Sequence, residues 1–565
     1  MRSSATTENP PSTKPPSHRT GVFIPAAVLL VVFVAVTAIW PVKTGDWIGS
    51  ANEAVVGDLG WWYIAIVTGF LFFAVWLAFS SRMGDVVLGK DDDEPEFGLW
   101  SWFAMLFAAG MGIGLVFWGV AEPLNHFSAP PPGVSPNTEA EHASAAMDVT
   151  FLHWGLHAWA IYVVVGLAVA YAVHRRGRPV SIRYALEPLL GKRILGFWGD
   201  VIDVLAVLGT LFGVATSLGL GVSQISAGLG YLGWVNDPGK WFLVALIIGI
   251  TAIATVSVIT GIDKGIKWLS NINMLLAVLF ISFVLIAGPT VFILTDFFTQ
   301  IGSYLRNFFE LSFNGRPFEE GGKAWVSGWT TFYWGWWISW APFVGIFIAR
   351  ISKGRTVREF VAGVLLVPSL VTFLWFAVMG GSAIYREMFG QGGLVGEGGV
   401  DTNTALFQLL DGLPLSSITS MVAILLIVIF FVTSSDSGSF VVGMLSSGGD
   451  PTPPRRRRTF WAIMEGAVAA VLLYVGLVAQ ETNPDANPLL ALQTMAILLA
   501  FPFSIVMVLM CFATAKALLG EADVAEREQR KWLAERVAKD INENDMLMLD
   551  KLAEPDELVD EDVTV

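Results

Sequence analysis

The chain has little of what most soluble domains and metal centres are built from. It contains a single cysteine, Cys511, so an intrachain disulfide is excluded and a thiol-based structural metal site is not expected. Only 15% of its 565 residues are charged. A soluble globular domain of this length carries more charge, because its surface must face water. The shortage of charge therefore points away from a soluble protein.

Apolar residues dominate the chain instead. They make up 54% of it, and the mean hydropathy is +0.62. They form continuous runs of about 20 residues, the length of a helix that crosses a hydrocarbon core of about 30 Å. The runs do not alternate with polar residues, as the strands of a membrane barrel do. We therefore predict an all-α polytopic membrane protein with twelve spans, at residues 21–40, 60–80, 100–121, 149–173, 199–223, 241–260, 268–293, 325–349, 360–383, 415–440, 460–479 and 489–518.

The segments outside the spans are more polar. Residues 1–20 are rich in proline and serine, contain no evident cleavable signal sequence and are predicted to form an N-terminal tail. Residues 21–518 form the predicted twelve-helix domain. Residues 519–565 form a predicted acidic C-terminal tail that carries most of the net charge of −14. An amphipathic stretch at 296–312 is predicted to lie along the membrane surface.

Basic residues are distributed unequally between the two sides of this domain. With twelve spans, 28 of the 34 lysines and arginines lie on the side that holds both chain ends. The run of arginines at 455–458 is on the same side. Because basic residues are enriched in cytoplasmic loops, we predict that both termini are cytoplasmic.

Glycines in the third predicted span indicate a break in the helix. Gly110, Gly112 and Gly114 occupy alternate positions, and glycine lowers the cost of local unwinding. Close packing of two helices is the alternative explanation. In the eighth span, Gly335 and Pro342 predict a second break. Two broken helices five spans apart are typical of an inverted-repeat secondary transporter, in which spans 3–7 and 8–12 would be the two halves.

Six aromatic residues of the fourth and eighth spans stand out: Trp154, Trp159, Tyr162, Trp336, Trp337 and Trp340. An interfacial aromatic belt explains many tryptophans in a membrane protein. It does not explain the three tryptophans of the eighth span, which lie more than two turns inside it. Aromatic faces within a membrane protein attract cations. The pattern therefore predicts a binding site for a cationic group.

Two further patterns within the spans are of the kind that binds metal ions. His153 and His157 are one helical turn apart, but no third ligand is visible nearby, so a structural role is expected. Residues 433–436 read Thr-Ser-Ser-Asp, and hydroxyls beside freed carbonyls form an all-oxygen site that suits an alkali cation. Hydroxyls bonded to their own helix backbone are the alternative.

These segments together resemble the betaine/carnitine/choline transporter family. The resemblance is carried by residues 110–114, 153–162, 336–342 and 433–436, and it extends in order over nearly all of residues 21–518. It implies a twelve-helix carrier of a bacterial cell membrane with a LeuT-like 5+5 inverted-repeat core, usually assembled as a homotrimer. Members of the family carry substrates with a quaternary ammonium or another delocalised cation, often together with a carboxylate.

The resemblance also implies roles for individual residues. By position, the six aromatic residues form a box around the substrate cation. Met111 and the unwound backbone around it face the substrate, and Gly110, Gly112 and Gly114 form the hinge. One sodium site falls on the backbone carbonyls of Ala108, Met111 and Phe430 and on the hydroxyls of Thr433 and Ser434.

A second sodium site of the family is incomplete in this sequence. It falls on Thr210 and Phe343, but its third ligand position holds Val214, which cannot coordinate an ion. Thr216 or Ser217 is the alternative source of the missing hydroxyl. Proton-coupled choline carriers of the family have an acidic residue at the position of Gly114, so glycine there favours sodium and a betaine-like zwitterion. The basic C-terminal extension that regulates the best-known betaine carrier has no counterpart in this acidic tail.

These observations predict a sodium-coupled secondary importer of a compatible solute, with glycine betaine favoured over ectoine and proline. No organic cofactor and no nucleic-acid partner are expected. Sodium, as the coupling ion, and membrane lipids are the expected partners besides the solute. A choline or carnitine carrier or exchanger, sodium-independent or proton-coupled, is the alternative of the same class. An integral membrane enzyme is a remote one, because the acids of the spans are scattered: Glu122, Asp203, Asp436 and Glu465.

Overall fold

A computed structural model gives the fold. It describes residues 20–110, 112–135, 137–236, 238–260, 263–483 and 486–553. Within these residues, eleven helices are long and apolar enough to cross a membrane, and one further helix pair, broken and bent by 69°, forms a twelfth span. The predicted all-α polytopic fold with twelve spans is therefore confirmed. An even number of spans places both chain ends at one face of the membrane, here called the terminal face.

The first two spans precede the ten that build the core. The first is Thr20–Ile39; the second combines Pro41–Asn52, the π-helix Glu53–Gly57 and Asp58–Phe79. This second helix begins far earlier than the predicted residue 60. Pro41 starts it, because proline at the first helical position has the required φ and needs no N–H partner.

Spans three to seven follow as a group of five. The short segments between the fourth and fifth spans are the 3-10 helix Ile182–Leu186, the helix Glu187–Leu190 and the 3-10 helix Gly191–Leu195. The spans themselves are Leu99–Gly110 with Ile113–Ser128; Glu139–Trp154, Leu156–Ala170 and the π-helix Tyr171–Arg175; Phe197–Tyr231; Lys240–Thr260; and Asp263–Ala287.

Spans eight to twelve form the second group of five. They are Gly322–Val326, the π-helix Ser327–Thr331 and Phe332–Ile351; Val357–Phe389; Ser416–Leu445; Arg455–Thr482; and Leu490–Ala553. The predicted amphipathic stretch is the helix Thr290–Phe313, which links the two groups. An antiparallel hairpin of Val395–Gly396 and Gly399–Val400 and the helix Ala405–Asp411 lie between the ninth and tenth spans.

The third span is interrupted where the glycines predicted a break. Its first helix ends at Gly110 and its second begins at Ile113, with Gly112 in an extended conformation at φ −167° and ψ −177°. Met111 lies outside the described residues. The interruption leaves carbonyl groups at the end of one helix and N–H groups at the start of the next without intrahelical partners.

The predicted break in the eighth span at Gly335 and Pro342 is wrong. The helix Phe332–Ile351 runs through both residues, and its irregular part is the π-helix Ser327–Thr331 before it. Proline removes one backbone hydrogen bond, but a membrane helix tolerates this loss where neighbouring helices surround it. Here Ser339, three residues before Pro342, donates to the carbonyl oxygen of Ala496 on the twelfth span at 2.8 Å, and Ala341 is fully buried.

A break that the sequence analysis missed divides the fourth span. Gly155, at φ −98° and ψ −134°, separates the helix that ends at Trp154 from the helix that carries Trp159. A Cβ atom at Gly155 would lie 2.5 Å from both the carbonyl oxygen of Phe151 and a ring carbon of Phe373. Glycine at this position therefore allows the kink and the close approach of the ninth span.

Candidate functional site

A cavity of about 720 Å³ lies between the two groups of spans. At its inner end it is lined by all six predicted aromatic residues. From there it extends along the tenth span to Arg350, Arg458 and Glu96, which belong to the terminal face. The structure therefore has its central site open to the terminal face. The residues from the predicted box and first sodium site that line it are Ala108, Gly112, Gly114, Trp154, Trp159, Tyr162, Trp336, Trp337, Trp340, Phe430, Thr433 and Ser434.

The aromatic rings at the inner end contact one another closely. Trp336 and Trp337 are stacked, with centroids 4.7 Å apart. Trp154 meets Trp337 edge to face at 4.8 Å. Trp159 and Tyr162 form a second edge-to-face pair at 5.4 Å. Such pairs fix the orientation of each ring, so the cavity offers preformed π faces.

Hydrogen bonds fix two of these rings further. The indole nitrogen of Trp337 donates to the carbonyl oxygen of His153 at 2.9 Å. That of Trp154 donates to Oε2 of Glu122 at 2.5 Å. By contrast, the buried indole nitrogens of Trp336 and Trp340 have no partner within the described part of the chain.

Glu122 is the centre of a buried hydrogen-bond network on the side of the box away from the cavity mouth. It is fully buried on the third span. Besides Trp154 it accepts a hydrogen bond from the hydroxyl of Tyr333 at 2.5 Å, and its Oε1 lies 2.7 Å from Nδ1 of His153. The other ring nitrogen of His153 contacts Thr330 Oγ1 at 3.0 Å. One carboxylate thus connects the third, fourth and eighth spans.

The same network contains the group of side chains best placed to hold a metal ion among the described residues. Ligand atoms of Glu122, His126 and His153 lie within 4.8 Å of one another, all buried. However, Glu122 already accepts hydrogen bonds from protein donors on both oxygens. His157 stacks on Trp334 at 5.7 Å and is not part of the group. The contacts agree with the structural role expected for His153 and His157.

The broken third span presents polar backbone to the cavity. The helix Ile113–Ser128 begins at the cavity, and Gly112, Ile113, Gly114 and Leu115 line it. The first N–H groups of a helix have no intrahelical partner, and they carry a partial positive charge. A carboxylate is therefore the kind of group that this end of the cavity attracts.

Four of the five predicted ligands of the first sodium site lie at one wall of the cavity. Ala108 is on the third span, and Phe430, Thr433 and Ser434 are on the tenth. The hydroxyl of Thr433 donates to the carbonyl oxygen of Ile429 at 2.8 Å, so its oxygen lone pairs remain free to accept or to coordinate. The fifth predicted ligand is Met111, which is outside the described residues.

The predicted second sodium site is less well assembled. Phe343 lines the cavity, whereas Thr210 is fully buried and does not line it, and its hydroxyl has no hydrogen-bond partner in the described structure. Val214, one turn further along the fifth span, packs beside Gly438 of the tenth. Ser217, which follows Val214 on the same span and also carries a hydroxyl, does line the cavity.

Comparison with known proteins assigns this arrangement. Residues 21–523 match the family described as BCCT, betaine/carnitine/choline family transporter. The chain belongs to this family. The BCCT match includes every residue of the candidate site and ends within the helix Leu490–Ala553. The relatives are transporters, which confirms that the chain is a multi-pass membrane transporter of a small solute and not an enzyme.

Individual BCCT relatives match over most of this chain. An uncharacterized transporter of Mycobacterium tuberculosis is 52% identical over 89% of this chain and 83% of its own. The glycine betaine transporter OpuD of Bacillus subtilis is 44% identical over 87% of this chain and 94% of its own. A glycine betaine transporter of Acinetobacter baylyi is 42% identical over 88% and 73%. A solved structure of a Na⁺-coupled sialic acid symporter covers 82% of this chain and 86% of its own with a TM-score of 0.44 and 13% identity.

Three site residues escaped the sequence analysis. Glu122 was noted only as an isolated acid, and its partners are 31, 32 and 211 positions away. Tyr333 precedes the tryptophans of the eighth span but was not assigned a role. Gly155 lies inside the fourth-span motif, and its position between Trp154 and Trp159 was the one signal that could have indicated a kink.

Proposed function

We propose that this BCCT transporter imports glycine betaine, or a closely similar compatible solute, together with sodium. The proposal is carried by the preformed aromatic faces at the inner end of the cavity. A quaternary ammonium cannot donate hydrogen bonds, so desolvated aromatic faces are its most favourable partners, at up to about 2 kcal/mol each. The names of the betaine-transporting relatives support the same substrate.

The two ends of a betaine would meet two different parts of the site. Its trimethylammonium group would lie among the indoles of Trp336, Trp337 and Trp340. Its carboxylate would accept hydrogen bonds from the N–H groups that begin the helix Ile113–Ser128, where the helix dipole favours negative charge. This division would favour a zwitterion over choline, which lacks the carboxylate.

Sodium would bind between the third and tenth spans. The carbonyls of Ala108, Met111 and Phe430 and the hydroxyls of Thr433 and Ser434 would coordinate it. Because the ligands come from two spans, a bound ion would stabilise one relative position of these spans over others. Sodium would thereby favour the form that accepts substrate from outside the cell. In this proposal both termini are cytoplasmic, and three copies of the chain form each assembly.

Uptake of radiolabelled glycine betaine into proteoliposomes tests the proposal. We expect unlabelled glycine betaine to inhibit this uptake more strongly than ectoine, proline, choline or carnitine does. Replacing external sodium by potassium at a clamped membrane voltage should reduce it about tenfold or more. Betaine uptake that is the same in potassium would remove the sodium coupling, and preferential competition by choline or carnitine would replace the substrate.

The sodium ligands are tested by Thr433→Ala. Loss of this hydroxyl removes one of about five to six oxygen ligands, so we expect the sodium concentration for half-maximal uptake to rise about threefold or more. Thr419→Ala is the matched control, since Thr419 is on the same span and its hydroxyl also donates to its own helix backbone. Equal sodium curves for the two variants would contradict the assignment.

A further inference from the structure

A second buried acid lies behind the tenth span, outside the aromatic box. Glu465 is on the eleventh span and is fully buried. Its Oε2 accepts one hydrogen bond, from Ser435 Oγ at 2.9 Å. Its Oε1 has no hydrogen-bond partner among the described residues. Unlike Glu122, this carboxyl group therefore has a single neutral donor to stabilise it.

The basic groups near Glu465 do not neutralise it. Arg458 lies two turns before it on the same helix, and its nearest acid is Asp436, with Nη2 to Oδ1 at 3.5 Å. Asp436 adds a negative charge close to Glu465. The other charged residues of the helices that pack against the eleventh span lie near the ends of those helices. Asp200 and Asp203 pair with Arg183, and Lys240 pairs with Glu481. Lys43 and Asp46 lie at the start of the second span, and Lys516 lies near the terminal-face end of the twelfth.

An ionised carboxylate in this position would be strongly unfavourable. Burying a charge without a counter-charge or several donors costs many kcal/mol, and a buried group in that situation is neutral. A neutral carboxylic acid fits the observed contacts. Ser435 donates to Oε2 as the carbonyl oxygen, and Oε1 carries the proton on the side that faces Gly438.

Gly438 also packs against the position at which the second sodium site of the family is incomplete. A Cβ atom on Gly438 would lie 3.0 Å from Glu465 Oε1 and 3.2 Å from Cγ2 of Val214. Val214 occupies the position where the resemblance implies a sodium-binding hydroxyl. The unpartnered oxygen of Glu465 and the valine that cannot bind sodium therefore pack against the same glycine.

We propose that Glu465 is a proton-binding site that replaces the second sodium site, so that a proton accompanies sodium and solute through the cycle. The proposal rests on the proposed sodium-coupled import. The step is a reversible proton transfer in a form of the transporter that admits water to Glu465, which is fully buried here: the O–H bond of the neutral acid breaks, water accepts the proton, and the carboxylate remains until a proton returns. No oxidant, reductant or further reactant takes part.

The protonation state can be measured without any transport. In infrared spectra of the full-length protein at neutral pH, we expect the C=O band of a buried carboxylic acid to be lost in Glu465→Gln, which keeps the size of the side chain. Glu481→Gln is the control, because Glu481 lies on the same helix but is half exposed and paired with Lys240. A spectrum in which Glu465→Gln removes no acid band would overturn the proposal, whatever the protein transports.

Transport then tests the coupling. With sodium equal on both sides of proteoliposomes, a pH gradient that is acidic outside should stimulate wild-type betaine uptake about threefold or more. Glu465→Gln should abolish this stimulation and leave the sodium curve unchanged, while Glu481→Gln should behave as wild type. A wild type that ignores the gradient, or a Gln variant that still responds to it, would overturn the proposal. A Gln variant that changes the sodium curve instead would make Glu465 a sodium ligand.

Discussion

At the scale of single residues, Trp340 offers the most direct test of the aromatic box. It lines the cavity, and its indole nitrogen is free of partners in the described structure. We expect Trp340→Ala to weaken betaine binding about tenfold or more, because the loss of one desolvated aromatic face is worth about 1.4 kcal/mol or more. Isothermal titration with betaine measures the change.

The control for Trp340 is a tryptophan that cannot meet the substrate. Trp241 lies at the start of the sixth span, is 65% exposed and is not part of the cavity. Trp241→Ala should bind betaine as the wild type does. If Trp340→Ala binds equally well, the indole has only a packing role.

Glu122 is expected to act through the rings that it holds. Glutamine at this position keeps one acceptor oxygen, but its NH₂ group faces the donors of Trp154 or Tyr333. We therefore expect Glu122→Gln to raise the apparent dissociation constant for betaine about fivefold, as a buried donor left unpaired costs about 1–3 kcal/mol. His157→Gln is the control, since no hydrogen-bond partner of His157 is present among the described residues.

The two kinds of site residue differ in how far the sequence reveals them. Trp336 and Trp337 could be predicted, because tryptophans deep within one span are visible locally. The role of Glu122 could not, because it depends on donors from the fourth and eighth spans, which are distant in sequence. The local sequence does not distinguish a buried carboxyl group with several hydrogen-bond donors, such as Glu122, from one with a single donor, such as Glu465. The difference lies in the donors that the fold brings to each group.

At the scale of the elements, the break in the third span allows a matched pair of substitutions. A Cβ atom on Gly114 would lie 2.7 Å from Trp336 Cη2 and 3.1 Å from Trp154 Cη2, whereas one on Gly112 would have nothing within 4 Å. We expect Gly114→Ala to displace both indoles and reduce the initial rate of betaine uptake about tenfold, which corresponds to about 1.4 kcal/mol.

Gly112→Ala should be tolerated, because its extended backbone at φ −167° is accessible to alanine. Uptake rates of the two variants, normalised to the amount of protein in the membrane, measure the difference. Equal rates would mean that glycine at position 114 serves flexibility alone rather than space for the rings.

The helix breaks also mark the limit of prediction at this scale. The break between Gly110 and Ile113 was predictable, because three glycines lower the local cost of unwinding. The continuous helix through Pro342 was not, because the outcome depends on neighbours such as Ala496 that stabilise the helix from outside. The kink at Gly155 likewise depends on the close approach of Phe373 from the ninth span.

At the scale of the whole molecule, the cavity opens to the terminal face. The proposed cytoplasmic position of the termini predicts that, in intact cells, a cysteine in the cavity mouth is inaccessible to a membrane-impermeant thiol reagent. Ser437 lines the mouth, and Cys511→Ser provides a background without native thiols. We expect Ser437→Cys to be labelled in inside-out vesicles and not in intact cells.

Sodium should change the rate of this labelling. Bound between the third and tenth spans, it would favour the form that is closed to the terminal face, so labelling of Ser437→Cys in inside-out vesicles should slow about threefold in sodium relative to potassium. Ser50→Cys, exposed near the opposite face, serves as the control and should be labelled in intact cells at a rate that sodium does not change. If sodium leaves the labelling rate of Ser437→Cys unchanged, sodium binding does not control the movement of the spans. Labelling of Ser437→Cys in intact cells would contradict the proposed orientation.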